Sequence, residues 1–197
     1  MQQINKSQRT ELQQARIDEF KANQISRRFG SSAIYKVLLK ESCQNSLMKF
    51  IKNPKNFLFI QGNPGIGKTY VCAALLDYFY EKFEGKRYWT ESNLLKKVRS
   101  SMDLRGDYLE SLELLIDDQF LIIDDLGSQS DNEFREDVIF HMLDYRYGLQ
   151  LPTVITTNLS REELKERYNH RILSRLYASE NCIISMHNGE DLRQHGK

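Results

Sequence analysis

The stretch from Phe57 to Tyr70, which reads FLFIQGNPGIGKTY, constrains the fold more than any other part of the chain. Four apolar residues predict a buried strand, and a cluster of three glycines and one proline interrupts it before a helix-forming run begins. Glycines let the backbone turn tightly so that successive amides point inward, and the first turn of a helix adds the positive end of its dipole. A strand, loop and helix of this kind can hold an anion on backbone N–H groups.

The loop matches the phosphate-binding pattern GxxxxGK[ST] between a predicted strand and a predicted helix. We expect it to bind ATP with Mg²⁺: Lys68 would supply charge to the β and γ phosphates, and Thr69 would offer a hydroxyl to the metal. The residues expected to contact ATP in this loop are Gly62, Asn63, Pro64, Gly65, Ile66, Gly67, Lys68, Thr69 and Tyr70. The alternative is a glycine-rich turn that matches by chance, and the flanking strand and helix disfavour it.

Predicted strands alternate with predicted helices along the rest of the chain. The strand candidates are FLFI, RYWT, FLIIDD, PTVITTN and CIISM, and the helical segments include TYVCAALLDYFYEKF and the region from Glu91 to about Asp118. Because these strands are continuous apolar runs, they predict an α/β fold in which helices cover both faces of a parallel sheet. Residues 31–197 are expected to form this domain, preceded by a basic helical arm at residues 1–30.

Composition limits the cellular location and the classes of partner that we expect for the chain. The 28 basic and 27 acidic residues nearly cancel, so any nucleic-acid surface would have to be local. No apolar run approaches the roughly 20 residues that a membrane span needs, and the first residues are too polar for a signal peptide. Three cysteines without metal-like spacing are typical of reduced thiols. We therefore expect a cytoplasmic protein without a membrane partner.

Two further apolar runs end in polar residues that complete a nucleotide site. In FLIIDDLG, Asp124 is expected to hold Mg²⁺ through water and Asp125 to polarise the attacking water. The run TVITTN ends in Asn158, which would orient that water if its strand lies between the strands of the loop and the acids. An asparagine after a strand is also a common turn former.

Four motifs in this order, GNPGIGKT, LIIDDLG, VITTNLS and RILSRL, resemble the AAA+ ATPases of the DnaC and DnaI helicase-loader group. IstB transposition helpers and the initiator DnaA are relatives of that group, and the resemblance covers about residues 27–193. It implies a P-loop NTPase fold with a five-stranded sheet in the order 5-1-4-3-2. Asn158 would then serve as the sensor 1 residue, and the helical lid of many AAA+ proteins would be absent or vestigial.

The resemblance also implies roles for two arginines. Arg175 in RILSRL matches the arginine finger, which reaches into the ATP site of a neighbouring subunit, and two surface arginines capping a helix are the alternative. Arg193 in GEDLR is the candidate for the sensor 2 residue that contacts ATP. Asp125 departs from the glutamate that most AAA+ proteins carry, and its shorter side chain suggests slow hydrolysis.

The function implied is that of an ATP-dependent loader or remodeller of the replicative DNA helicase, which forms homo-oligomers on binding ATP. Its partners would be a hexameric DnaB-type helicase and single-stranded DNA, the latter contacted by Lys96, Lys97 and Arg99. The nearest alternative is an IstB-type helper of DNA transposition. A small-molecule kinase and a scaffold that binds ATP without hydrolysing it are more distant alternatives.

Overall fold

The computed structural model of the protein describes residues 41–105, 108–129 and 133–186. The predicted arm at residues 1–30 and the predicted ATP contact Arg193 lie outside them. The described elements, in chain order, are α1 (Glu41–Lys52), β1 (Phe57–Gly62), α2 (Lys68–Tyr78), β2 (Lys86–Thr90), α3 (Glu91–Arg105), α4 (Tyr108–Ile116), β3 (Phe120–Leu126), α5 (Glu133–Gly148), β4 (Thr153–Thr157), α6 (Arg161–Arg167), α7 (His170–Leu176) and β5 (Cys182–Met186). Among the described helices, none combines the length and the hydropathy that a bilayer crossing requires.

The five strands form one parallel sheet in the order β2-β3-β4-β1-β5. This is the predicted order 5-1-4-3-2 read from the opposite edge, so the fold prediction is confirmed. Strand β4 lies between β1 and β3, which carry the glycine-rich loop and the two acids. The carboxyl ends of parallel strands meet at one edge of a sheet, so the polar residues after these three strands face the same region.

Both faces of the sheet are buried, as the continuous apolar runs predict. Along β1, Leu58 and Ile60 pack in the cluster that contains residues of α1 and α2, while Phe57 and Phe59 pack in the cluster on the other face. The second cluster contains residues of α3, α4, α5, α6 and α7. Alternating side chains of a strand point to opposite faces, so a strand covered on both sides is apolar at every position.

Helix α2 ends at Tyr78 and is therefore shorter than the run TYVCAALLDYFYEKF predicts. The next residue, Phe79, is fully buried and contacts the rings of Phe50, Phe83 and Phe120. Since these contacts draw the chain inward, the aromatic residues form a turn into β2 rather than another helical turn. The helical region predicted from Glu91 to about Asp118 is likewise divided, into α3 and α4.

A buried arginine fixes β3 and β4 side by side at the edge of the sheet where these strands begin. Arg146 of α5 is fully buried and donates hydrogen bonds to the Thr153 hydroxyl (2.7 Å) and to the carbonyl groups of Ile116, Asp118 (2.8 Å) and Pro152 (2.9 Å). Burial lowers the pKa of Arg146 to about 9. These bonds tie the starts of the two strands whose carboxyl ends carry Asp124 and Asn158.

Candidate nucleotide-binding site

The loop after β1 has the backbone that its glycines predict. Gly65 and Gly67 adopt left-handed conformations with φ of 82° and 100°, which glycine enters at little cost. Gly62 is needed for a close approach, since a Cβ atom there would lie 2.6 Å from the carbonyl oxygen of Met186 on β5. Gly67 is the N-cap of α2 and supplies no side-chain cap, so the first N–H groups of the helix face the loop.

The other predicted ATP contacts differ in their exposure. Asn63 and Pro64 are exposed at the tip of the loop, Ile66 is buried, and Thr69 and Tyr70 in the first turn of α2 are half-buried. The tip of the loop is thus open to solvent, while the apolar side chain of Ile66 within it is shielded.

Lys68, the first residue of α2, is buried with 7% of its surface exposed. Its ammonium group donates hydrogen bonds to the carbonyl oxygens of Gly62 (2.7 Å) and Asn63 (2.8 Å) and to Oδ1 of Asn158 (2.6 Å). An ammonium has three N–H donors, so these bonds hold the charge at the centre of the loop. The contact also joins the loop to the end of β4.

Asp124 is buried at the end of β3 and accepts hydrogen bonds from three hydroxyl groups. Thr69 (2.8 Å) and Tyr88 (2.6 Å) donate to its Oδ2 atom, and Thr156 donates to its Oδ1 atom. Hydroxyl and carboxylate oxygens are ligands suited to Mg²⁺, which is commonly held by one or two carboxylates together with substrate phosphates. The donor set at Thr69 and Asp124 therefore fits this ion.

Asp125 has a left-handed backbone with φ of 62°, at a bulge in the pairing of β3 with β4. Bulges re-aim side chains and are common beside active sites. Its N–H donates to the Thr156 hydroxyl (3.0 Å), and its Oδ1 atom accepts from the amide of Asn158. The bulge therefore places the Asp125 carboxylate against Asn158, which also touches Lys68.

The loop that follows the acids is held by a buried polar cluster that the sequence did not indicate. Glu91, fully buried at the start of α3, accepts the N–H groups of Gly127 (3.0 Å) and Gln129 (3.2 Å) and the hydroxyl of Tyr168 (3.3 Å). Burial raises the pKa of Glu91, and the two backbone donors together with Arg135, 3.9 Å away, oppose that rise. The cluster fixes the chain immediately after Asp125.

Arg175 lies on α7 and pairs with a residue of α5 rather than with the glycine-rich loop or the acids. Its guanidinium donates to Oδ1 of Asp144 on α5, from Nε (2.9 Å) and from Nη2 (2.8 Å), and lies 5.1 Å from the ring centroid of Tyr147. Phe140, His170, Arg171 and Ser174 complete a shallow pocket around this pair. The structure thus groups the loop, the acids and Asn158, and places Arg175 in a different cluster.

The three residues predicted to contact DNA are exposed on α3. Lys96 and Lys97 are adjacent, while the guanidinium of Arg99 lies 4.8 Å from the ring centroid of Phe134. Cation–π packing on a neighbouring helix holds Arg99 more firmly than a freely solvated arginine.

The parallel sheet, the left-handed glycines, the buried lysine and the adjacent hydroxyl and carboxylate groups together define a P-loop nucleotide-binding protein. A comparison of sequences gives the family: the profile of the IstB-like ATP binding proteins matches residues 3–193, and the chain belongs to that family.

Two curated relatives are replicative helicase loaders. DnaI of Bacillus subtilis (strain 168) is 30% identical over 115 residues, which are 57% of this chain and 36% of that protein. DnaC of Escherichia coli (strain K12) is 25% identical over 132 residues, which are 65% of this chain and 52% of that protein. The aligned regions thus span about a third to a half of the length of these relatives.

A solved structure of the DnaC helicase loader matches over more of the chain. It superposes with a TM-score of 0.66 at 25% sequence identity and covers 81% of this chain and 99% of that structure. The likeness therefore extends over nearly the whole of the solved DnaC chain.

Proposed function

We propose that the chain is an ATP-dependent loader of the replicative DNA helicase. The observation that carries this proposal is the likeness to DnaC, which reaches 25% identity over 81% of this chain and 99% of the solved DnaC structure. Both curated relatives described above carry the name replicative helicase loader. The IstB-like family match alone fits a transposition helper as well, and these relatives favour helicase loading over that alternative.

ATP would bind in the loop between β1 and α2. The N–H groups at the start of α2 would donate hydrogen bonds to the phosphate oxygens, with the helix dipole adding to their attraction. A triphosphate near Lys68 would compete for its ammonium group with the carbonyl oxygens of Gly62 and Asn63 and with Asn158. Binding would therefore loosen the bond between Lys68 and Asn158 and free the Asn158 Oδ1 atom to accept from another donor.

Mg²⁺ would be held by the Thr69 hydroxyl directly and by Asp124 through water. When bound, the ion would neutralise charge that develops on the β and γ phosphates. The existing bond from Thr69 to Asp124 keeps the lone pairs of the threonine oxygen available to the metal.

Asp125 would act on the attacking water. Its carboxylate accepts the amide of Asn158, so the two side chains could orient one water between them. The aspartate side chain reaches less far from the backbone than a glutamate would, and we therefore expect slow hydrolysis.

Arg175 would act in trans, on ATP bound to the next subunit of an oligomer. Its ion pair with Asp144 is partly exposed, with 36% and 46% of the two side chains accessible, and pairs exposed to this degree contribute only about 0–1 kcal/mol. A phosphate of the neighbouring ATP could therefore displace Asp144 at small cost.

Arg193 is proposed to contact the ATP bound to its own subunit.

Single-stranded DNA would bind along α3 through Lys96, Lys97 and Arg99, and the arm at residues 1–30 would dock on the helicase. Contacts to phosphates would make the DNA affinity fall with rising salt. The exposed positions of the three basic side chains support this part of the proposal.

A loading assay tests the proposed function. Purified replicative helicase from the same host would be incubated with circular single-stranded DNA, and the helicase retained on the circles would be measured with and without this protein and ATP. We expect retention to rise only when both are present. Stimulation of transposase on duplex DNA, with no change in helicase retention, would move the function to transposition.

The Lys68→Ala variant, which should bind ATP weakly, is the inactive control for the loading assay. Loss of a buried charge that faces the phosphates is expected to weaken ATP binding about 10- to 100-fold, because charge-assisted hydrogen bonds of about 1.5–3 kcal/mol are lost. Calorimetric titration with ATP measures the change, and Lys165→Ala on the exposed surface of α6 is the control. Unchanged affinity in Lys68→Ala would show that ATP binds elsewhere.

A further inference from the structure

Tyr88 is a buried tyrosine whose hydroxyl points at the metal-binding carboxylate. It lies on β2 with 4% of its surface exposed and donates to Oδ2 of Asp124 at 2.6 Å. The steps proposed above for ATP binding and hydrolysis do not use it. A short bond from a neutral donor to a carboxylate is among the stronger hydrogen bonds in proteins.

The sheet register explains how this side chain reaches the site. Strands β2 and β3 are parallel, Tyr88 is paired with Ile122, and Thr90 is paired with Asp124. Residues two apart on a strand share a face, so Tyr88 and Asp124 lie diagonally on one face of the sheet. Long aromatic side chains span such diagonals, which brings the phenol to the carboxyl end of β3.

The Asp124 carboxylate has a limited number of acceptor positions, and this network occupies most of them. Each carboxylate oxygen offers two lone pairs. Thr69 and Tyr88 both donate to Oδ2, and Thr156 donates to Oδ1. One position on Oδ1 is left for a further donor, such as a water molecule bound to a metal ion. The three hydroxyls therefore select both the rotation of the carboxylate and the oxygen that remains available.

We propose that Tyr88 is a positioning residue for the magnesium site: its hydroxyl holds the Asp124 carboxylate in the orientation that presents Oδ1 to the hydration shell of the ion. This proposal rests on the proposed function, in which Thr69 and Asp124 hold Mg²⁺ beside ATP. Through Tyr88, strand β2 would contribute to metal binding as well as to the sheet.

Replacing Tyr88 by phenylalanine tests the proposal, because it removes one oxygen atom and keeps the ring. The affinity for ATP is measured at a series of free Mg²⁺ concentrations and in excess EDTA. We expect the Mg²⁺ concentration for half-maximal tightening to rise about 10-fold, the lower end of the range that is usual when an outer partner of a metal ligand is lost. Affinity in EDTA should stay within about twofold, because the ring packing is retained.

Tyr145→Phe is the matched control, since Tyr145 also donates from its hydroxyl to an aspartate, Asp117, at 2.8 Å. Asp117 precedes β3 and thus lies at the opposite edge of the sheet from Asp124. The control should show the wild-type Mg²⁺ dependence, and thermal unfolding checks that both variants are folded.

Three outcomes would count against the positioning role of Tyr88. An unchanged Mg²⁺ titration in Tyr88→Phe would show that the bond to Asp124 does not act on the metal. Equal weakening of ATP binding in Mg²⁺ and in EDTA would assign Tyr88 a merely structural part. Failure of the wild-type protein to bind ATP at all would overturn the proposed function, and with it the positioning role.

Discussion

Arg175→Ala should bind ATP as the wild-type protein does and lose assembly-dependent hydrolysis by about 10³-fold or more, the range typical of arginine fingers. Binding should persist because Arg175 contacts Asp144 on α5 and lies away from Lys68, Asp124 and Asn158. Turnover measured as a function of protein concentration would separate the two effects. Arg161→Ala is a suitable control, since the guanidinium of Arg161 also lies over an aromatic ring, at 4.8 Å from the centroid of Tyr177.

Mixing two inactive variants gives a sharper test of action in trans. Arg175→Ala keeps an intact ATP site, and Lys68→Ala keeps an intact arginine. In a 1:1 mixture, about a quarter of the head-to-tail interfaces would join an intact site to an intact arginine. Hydrolysis should therefore reappear on mixing. Wild-type turnover by Arg175→Ala alone would remove the trans-acting role.

Asp125→Asn is expected to lower kcat for ATP hydrolysis by about 10²- to 10⁴-fold, the usual contribution of a general base, while ATP affinity stays within about twofold. Asparagine is a close match in shape, and it shares with aspartate the tolerance for a left-handed backbone that φ of 62° requires here. Its side-chain oxygen can still accept the Asn158 amide. Single-turnover hydrolysis measures the loss of chemistry without interference from product release.

The control for this variant is Asp117→Asn, which makes the same change at an exposed aspartate before β3. Asp117→Asn should hydrolyse ATP at the wild-type rate. A wild-type rate in Asp125→Asn would assign the activation of water to another residue. We expect hydrolysis to release the helicase, so Asp125→Asn should also prolong the helicase complex formed with ATP.

Much of the fold could be predicted because its signals are local. Continuous apolar runs predicted the five strands, and the glycine-rich loop required a strand before it and a helix after it. The sheet order came from the family resemblance and agrees with the observed order. The end of α2 was predicted too late, because the burial of Phe79 among other aromatic rings depends on distant residues.

The backbone at Asp125 gives a physical reason for the aspartate at a position where most AAA+ proteins carry a glutamate. Aspartate and asparagine enter the left-handed region several times more often than other residues with side chains. A glutamate at this bulge would lack that local tolerance. The aspartate therefore matches the bulge, which the sequence alone does not reveal.

The parts of the site missed by sequence are side chains that act across strands and helices. Tyr88 belongs to a strand that reads as ordinary core, and only the register of β2 with β3 shows that it reaches Asp124. Glu91 opens a helix, where an acid is expected for the helix dipole alone. Its burial against Gly127 and Gln129 depends on how α3 packs on the loop after β3.

We propose that this nucleotide-binding protein acts on the replicative helicase. The most direct measurement is co-purification with the hexameric replicative helicase of the same host, in ATP, in ADP and without nucleotide, with the lifetime of the complex recorded in each state. We expect a stable complex whose lifetime depends on the nucleotide, and the Lys68→Ala variant should lose that dependence. The absence of a complex in all three states would contradict helicase loading, even if the protein binds ATP as proposed.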